Sequence, residues 1–155
     1  MIMDRNDEIK EMNDLHELMA DSRKGYHEAA EKVRSPQLVQ LFQRLSAQRD
    51  SMQTELASEI RRFKPDDRLQ DGTVKGNLHR AWMDIREALG SSDDVNMLNE
   101  CERGEKYLVQ RFETVLKNPG IAPTSKHLLA TQRQQIEENL AEVESLRETM
   151  KAVMK

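Results

Sequence analysis

The sequence has little cysteine, few aromatic residues and no long apolar run. One of its 155 residues is cysteine, 4% are aromatic, and no apolar stretch approaches membrane-spanning length. The single thiol, Cys101, excludes an internal disulfide framework and favours a reducing compartment. Residues 1–8 lack the apolar core of a signal peptide. We therefore expect a cytoplasmic protein with no membrane partner.

The chain also lacks an excess of basic residues. It has 24 Lys and Arg against 28 Asp and Glu, and the two signs are interleaved along a chain of net charge −4. Because no basic tail or patch is available to neutralise phosphates, we expect no nucleic-acid partner. Phosphate-loop, zinc and catalytic-triad signatures are also missing from the sequence, so we expect no cofactor.

What the sequence does contain is helical periodicity. Hydrophobic residues make up 37% and charged residues 34% of the chain, a balance typical of long helices with one exposed face. Apolar residues recur at spacings of three and four between breaks marked by proline and glycine. This pattern predicts helices over residues 4–33, 36–63, 93–117 and 123–153. Rods of this length with one apolar stripe each are best buried side by side.

The connections between these helices predict their topology. Two of them are short, so the first and second helices should form one antiparallel hairpin and the third and fourth another. The connection over residues 64–92 is long, and Val74, Leu78, Trp82 and Ile85 predict a short extra helix at about 73–89. We expect an all-α fold and a single domain over residues 1–155. A long crossover that makes the second and third helices parallel is the topology of ferritin-like four-helix bundles.

Polar residues interrupt the apolar stripes at matching heights in the predicted bundle. The interior polar layer that this predicts consists of Ser22, Gln48, Arg49, Glu105, Gln132 and Gln135. Di-iron carboxylate proteins of this fold bind metal at this height, using one Glu from each of two helices and Glu-x-x-His from each of the others. No Glu-x-x-His occurs in the sequence, and the corresponding places hold Arg49 with Met52 and Gln132 with Gln135.

Arg49 and Glu105 are therefore expected to face each other as a buried ion pair where related bundles hold metal. A buried guanidinium needs acceptors, and Glu105 and the side-chain carbonyls of Gln132 or Gln135 are the nearest by register. In the alternative arrangement the helices are rotated, and both charged side chains reach solvent.

The remaining metal-ligating residue types are scattered. Glu102 and Glu105 are the only plausible carboxylates for an atypical iron or manganese site, whereas the four histidines are expected at surface or boundary positions. Cys101 falls on an apolar stripe, and we expect a buried, unreactive thiol because no histidine is positioned to activate it.

Three segments carry a resemblance to a known family. They are Gly25-Tyr26-His27-Glu28-Ala29-Ala30, Leu78-His79-Arg80-Ala81-Trp82 and Glu100-Cys101-Glu102-Arg103-Gly104-Glu105. With these motifs the chain resembles, over nearly its whole length, a family of uncharacterised bacterial four-helix-bundle proteins with a ferritin-like domain of unknown function. The resemblance implies a bacterial source and a ferritin-like fold, and it implies no activity.

Two functions remain open from the sequence. The first is a non-enzymatic binding or self-association module that has lost the di-metal site, with a link to stress that rests on analogy with ferritin relatives. Long helices and a mixed surface permit a homodimer without requiring one, and the identity of any protein partner stays open. The alternative is an iron- or manganese-binding protein or oxidase with a site near Glu102 and Glu105. A DNA-binding ferritin relative is disfavoured by the charge.

Overall fold

The computed structural model describes residues 4–69 and 94–153, and these form four helices. Helix α1 spans Arg5–Lys32, α2 spans Pro36–Phe63, α3 spans Asp94–Leu116 and α4 spans Pro123–Val153. No strand occurs in the described ranges. Each helix begins and ends within one residue of the bounds predicted from the sequence. The predicted crossover helix, at about 73–89, lies outside the described residues.

Local signals in the sequence account for the helix ends. The side chain of Asp4 accepts a hydrogen bond from the backbone N–H of Asn6, which caps the start of α1. Ser35 stands at the N-cap of α2 and Pro36 at its first position, where a missing N–H costs nothing. Between α3 and α4 the side chain of Asn118 accepts from the N–H of Gly120, which closes the turn.

Contacts between the helices give their relative directions. Helix α1 packs mainly on α2, and α3 packs mainly on α4. Tyr26 near the end of α1 contacts Glu105 of α3, and Glu8 near the start of α1 contacts Ala122, which follows α3, so these two helices run in opposite directions. Because α1 also runs opposite to α2, helices α2 and α3 are parallel. The structure is therefore a four-helix bundle in which two antiparallel hairpins pack together.

The inner faces of all four helices supply one continuous apolar core. It contains fully buried side chains from each helix, among them Leu15, Met19, Leu45, Leu56, Leu98, Phe112, Leu129 and Ile136. The apolar core stops before the end of α4, because Val143 is the last fully buried apolar residue of that helix and Val153 is 79% exposed. The described helices include none that is long and apolar enough to cross a membrane.

Candidate functional site

The centre of the bundle contains a buried ion pair between α2 and α3. Arg49 Nη1 donates to Glu105 Oε1 at 2.9 Å, and Arg49 Nη2 donates to Glu105 Oε2 at 2.6 Å. The side chains of Arg49 and Glu105 are 0% and 1% exposed. This is the bidentate geometry in which a guanidinium and a carboxylate match best. The ion pair predicted from the sequence is thus present, and the rotated alternative is wrong.

Helix α1 contributes two further side chains to this pair. Ser22 Oγ accepts a hydrogen bond from Arg49 Nη1 at 3.0 Å, and the hydroxyl of Tyr26 donates to Glu105 Oε1 at 2.6 Å. Both residues are buried. We call Ser22, Tyr26, Arg49 and Glu105 the central polar cluster. Three helices meet in it through hydrogen bonds to charged groups, which are stronger than those between neutral groups.

The aromatic ring of Tyr26 borders the guanidinium. The Arg49 Cζ atom lies 5.6 Å from the centroid of the Tyr26 ring, within the range of a cation–π interaction. The Tyr26 ring in turn stacks on Phe42, with centroids 5.6 Å apart and planes inclined by 26°. The central polar cluster is therefore enclosed by apolar surface, and its charges have exchanged contact with water for contact with one another.

Burial and neighbouring charges together shift the pKa values of three groups. Burial lowers the pKa of Arg49, but the charge and hydrogen bonds of Glu105 outweigh burial and raise the pKa above its ordinary value. Burial and then the negative charge of Glu105 raise the pKa of Tyr26 well above 10.0. Burial and the same carboxylate raise the pKa of Cys101 far above its ordinary range. At neutral pH, Arg49 is charged while the phenol and thiol keep their protons.

The glutamines of the predicted polar layer do not join the central polar cluster. Gln132 is fully buried, but its amide nitrogen donates to the Met52 carbonyl at 3.1 Å and to Glu55 Oε1 at 3.2 Å. Gln48 is only partly buried and accepts a hydrogen bond from Asn139. The expectation that Gln132 or Gln135 supplies an acceptor to Arg49 is therefore wrong; Gln135 is only partly buried, and Ser22 takes that role.

Gln132 and Asn139 of α4 bind Met52 and Gln48 of α2 instead of Arg49, which explains this difference. Sequence spacing gives the height of a residue, whereas the partner depends on how each helix is rotated about its axis. Tyr26 was missed as a site residue for the same reason. Its position on the apolar stripe indicated a core ring, and only packing shows that its hydroxyl reaches Glu105.

Glu102 occupies a different place from Glu105. It lies at the α3–α4 boundary, where Lys106 Nζ contacts it at 2.7 Å and Arg147 also pairs with it. The described residues contain no group of three or more His, Cys, Asp and Glu side chains that could hold a metal ion. Glu105 is engaged on both oxygens by N–H and O–H donors, and its neighbour Arg49 is a cation. A carboxylate whose two oxygens already accept hydrogen bonds beside a cation is not a suitable ligand for a divalent metal ion.

The histidines follow the expectation only in part. His27 and His127 are exposed, whereas His16 is 5% exposed and belongs to the buried face of α1, so the boundary position predicted for it is wrong. His79 lies outside the described residues. Cys101 is a free, buried thiol one helical turn before Glu105, as expected from the stripe of α3.

Two buried carboxylates at one end of the bundle were not predicted. Glu8 of α1 accepts from the backbone N–H of Ala122 at 2.7 Å, and Glu59 of α2 accepts from the hydroxyls of Thr124 and Ser125 at 2.7 and 2.8 Å. Together they bind the N-terminus of α4, where the helix dipole favours negative charge. Their positions in the sequence indicated that they could be buried. Glu8 precedes the buried Met12 by four residues and Glu59 follows the buried Leu56 by three, so each lies on the apolar face of its helix.

Comparison with known proteins gives one family. A search of curated proteins finds no match. The family described as a domain of unknown function, DUF2383, matches residues 7–118. The match covers nearly all of α1, and α2 and α3 with the central polar cluster. It ends before α4 begins, so it is shorter than the near-complete resemblance expected from the three motifs. Since it covers more than half of the chain, the protein belongs to the family of the domain of unknown function DUF2383.

Proposed function

We propose that this chain is a ferritin-like four-helix bundle that works as a non-enzymatic binding or self-association module. In this proposal an ion pair stands where di-iron members of the fold bind metal. The observation that carries it is the contact of Arg49 with both oxygens of Glu105, with neither side chain accessible to solvent. A role in a stress response is part of the proposal and rests on analogy with ferritin relatives.

Helix directions support the ferritin-like part of the proposal. Helices α2 and α3 are parallel, and a connection of about thirty residues joins Phe63 to Asp94. A bundle with one long crossover between its second and third helices has the connectivity of ferritin-like folds. A location in the bacterial cytoplasm is also proposed; it rests on the family resemblance and on the single, buried thiol of Cys101.

The chemistry of the middle of the bundle argues for a module without metal. A divalent cation would have to displace Arg49 from Glu105 and leave a guanidinium buried without its counter-charge. Glu102, the other carboxylate considered, is already neutralised by Lys106 and Arg147. Within residues 4–69 and 94–153, neither carboxylate belongs to a group of three or more His, Cys, Asp or Glu side chains that could form a coordination shell.

Metal analysis of the purified protein tests this function. Cells supplemented with iron and manganese should yield protein with well under one metal ion per chain. Near-stoichiometric metal in the wild type that is lost in Glu102→Gln or Glu105→Gln would reverse the proposal in favour of the metal-binding alternative. Glu113→Gln, a partly buried position on the same helix α3, is the matched control and should leave the metal content unchanged.

Self-association, if it uses the described surface, relies mainly on polar contacts. Val153 is the one large apolar side chain that is exposed in the described ranges. An interface without apolar residues gains little from the hydrophobic effect and depends on charge complementarity, which salt screens. We therefore propose a homodimer that is sensitive to ionic strength. Light scattering at high protein concentration should show dimer at low salt, and monomer under all conditions would reject the homodimer.

A further inference from the structure

A groove between α1 and α2 shares no residue with the central polar cluster. Its volume is about 780 Å³, within the range of small-molecule sites in proteins. Ala57 and Ser58 carry small side chains, which fill little of the space between the two helices. We call this space the hairpin groove, and the described residues that line it are His16, Arg23, Asp50, Gln53, Thr54, Ala57, Ser58, Arg61, Arg62 and Leu69.

The hairpin groove carries positive charge on an acidic protein. Three arginines line it against one carboxylate, that of Asp50, whereas the whole chain has a net charge of −4. Arg23 is partly neutralised, because its Nε donates to Gln53 Oε1 at 3.0 Å and lies 3.9 Å from Asp50 Oδ1. The positive charge is therefore greatest at the other end of the groove, where Arg61 and Arg62 stand in the last turn of α2. A concave surface of one sign attracts ligands of the opposite charge.

The arginine end of the groove has the donors that a phosphate group requires. Arg61 and Arg62 follow Ser58 by three and four residues, so the three side chains lie close together on α2. All three are exposed. Arg62 Nη1 donates to Glu59 at 2.9 Å, whereas Arg61 forms no ion pair within residues 4–69 and 94–153. Guanidinium groups match the oxygens of a phosphate through paired hydrogen bonds, and a hydroxyl adds a further donor.

The opposite end of the groove favours a neutral group that bears hydroxyls. The Asp50 side chain is 69% exposed, and its carboxylate would repel a second anion while accepting hydrogen bonds from hydroxyls. No Phe, Tyr or Trp is among the described residues of the groove, so it offers none of the rings on which nucleobases stack. Asp50 and Arg61 are eleven residues apart, about 16 Å along α2, which leaves room for a sugar between them.

We infer that the hairpin groove binds a small phosphorylated molecule rich in hydroxyl groups, of the sugar phosphate class. Its phosphate accepts hydrogen bonds from Ser58, Arg61 and Arg62, and its hydroxyls reach Asp50 and Gln53. This site goes beyond the proposed function and does not involve the ion pair in the middle of the bundle. Failure of the inference would therefore leave the proposed function unaffected.

A nuclear magnetic resonance titration of the isotope-labelled full chain tests the inference, with glucose 6-phosphate as the probe. The amides of Ser58, Arg61 and Arg62 should shift saturably. Glucose should leave them unchanged, and sulfate at the same ionic strength should shift them far less. Inorganic phosphate should bind more weakly than the sugar phosphate. Shifts that are absent, that lie outside the groove or that are equal with sulfate would overturn the inference, as would equal affinity for inorganic phosphate.

Two arginine variants separate the site from a general attraction of charge. Arg61→Gln should weaken binding of glucose 6-phosphate by about tenfold or more, because it removes a charged hydrogen-bond donor. Since Arg61 is exposed, the amide signals of α3 and α4 should not change. Arg34→Gln removes an exposed arginine at the other end of the hairpin and should weaken binding by less than about twofold. Equal losses in the two variants would overturn the site.

Discussion

At the scale of single residues, the central polar cluster derives its strength from complete pairing. Every polar atom that Glu105 offers is engaged, by the two terminal nitrogens of Arg49 and by the hydroxyl of Tyr26. Desolvating two charges is costly, and their attraction offsets that cost only when geometry and additional hydrogen bonds are favourable. Removing one side chain of the central polar cluster should therefore lower the free energy of unfolding more than the same change would at the surface.

Tyr26→Phe tests the weakest member of this pairing. It deletes the hydroxyl that donates to Glu105 at 2.6 Å and keeps the ring stacked on Phe42. Because hydrogen bonds to charged groups contribute about 1.5–3 kcal/mol, we expect a loss of that size in the free energy of unfolding, measured by urea denaturation at neutral pH. Tyr107→Phe, at a partly buried position of α3, should change it by less than about 0.5 kcal/mol. Equal effects of the two changes would contradict the role of Tyr26.

The raised pKa values of Tyr26 and Cys101 predict a loss of stability at alkaline pH. Their ordinary pKa values are 10.0 and 9.0, and both pKa values are higher in the folded protein. The unfolded chain therefore releases these protons first, so stability is complete below about pH 9 and decreases as pH rises above that value. Each group contributes a slope of up to about 1.4 kcal/mol per pH unit.

Denaturation curves at a series of alkaline pH values measure this slope. Combining Tyr26→Phe with Cys101→Ala removes both groups and should flatten the decrease relative to the wild type. An unchanged slope in the double variant would show that other groups govern the alkaline behaviour.

The fold does not require a glycine at position 104. It lies inside α3 next to Glu105, it is buried, and a Cβ atom built on it meets nothing within 4 Å. Glycine inside a helix is less favourable than alanine by about 0.5–1 kcal/mol. Gly104→Ala should therefore raise the free energy of unfolding by about that amount in urea denaturation. A decrease would show that the space beside Gly104 is used.

At the scale of helices, the ends could be predicted from the sequence and the rotations could not. Pro36, Pro123 and the Asn118-Pro119-Gly120 turn mark helix limits through backbone chemistry that is local to each position. The partners of Gln132 and Tyr26 depend instead on how each helix turns about its axis, a result of packing all four together. Arg49 and Glu105 were predictable because a charged pair on two apolar stripes has few other ways to be satisfied.

The two carboxylates that bind the start of α4, Glu8 of α1 and Glu59 of α2, give a prediction at the scale of helices. Glu59 accepts hydrogen bonds from both Thr124 and Ser125, so Glu59→Leu should release the first turn of α4. Amide hydrogen exchange should become faster in the first turns of α4, with an overall loss of about 1–2 kcal/mol in unfolding free energy. Glu138→Leu, at an exposed position of α4, is the control. Equal exchange in both variants would contradict this role of Glu59.

At the scale of the whole molecule, the four-helix bundle extends beyond the part of the chain that the family match covers. The family match spans residues 7–118, and α4, which lies beyond it, is nevertheless attached to the matched helices. Glu8 and Glu59 bind its first turn, Gln132 binds α2 near the middle, and Arg44 pairs with Glu142 further along. Helix α4 is therefore an integral part of the bundle. Apolar periodicity and the lengths of the connections predicted this four-helix arrangement, because rods with single apolar stripes have few other ways to bury them.

The ion pair in the middle of this bundle is the feature on which the proposed function most depends. A double-mutant cycle on Arg49 and Glu105 tests it most directly, using unfolding free energies of the wild type, Arg49→Met, Glu105→Leu and the combined variant. Each single change leaves one buried charge without its partner and should cost about 3–5 kcal/mol. The combined variant should lose less than either single variant. Additive losses, or an unchanged unfolding free energy in Arg49→Met, would contradict the account.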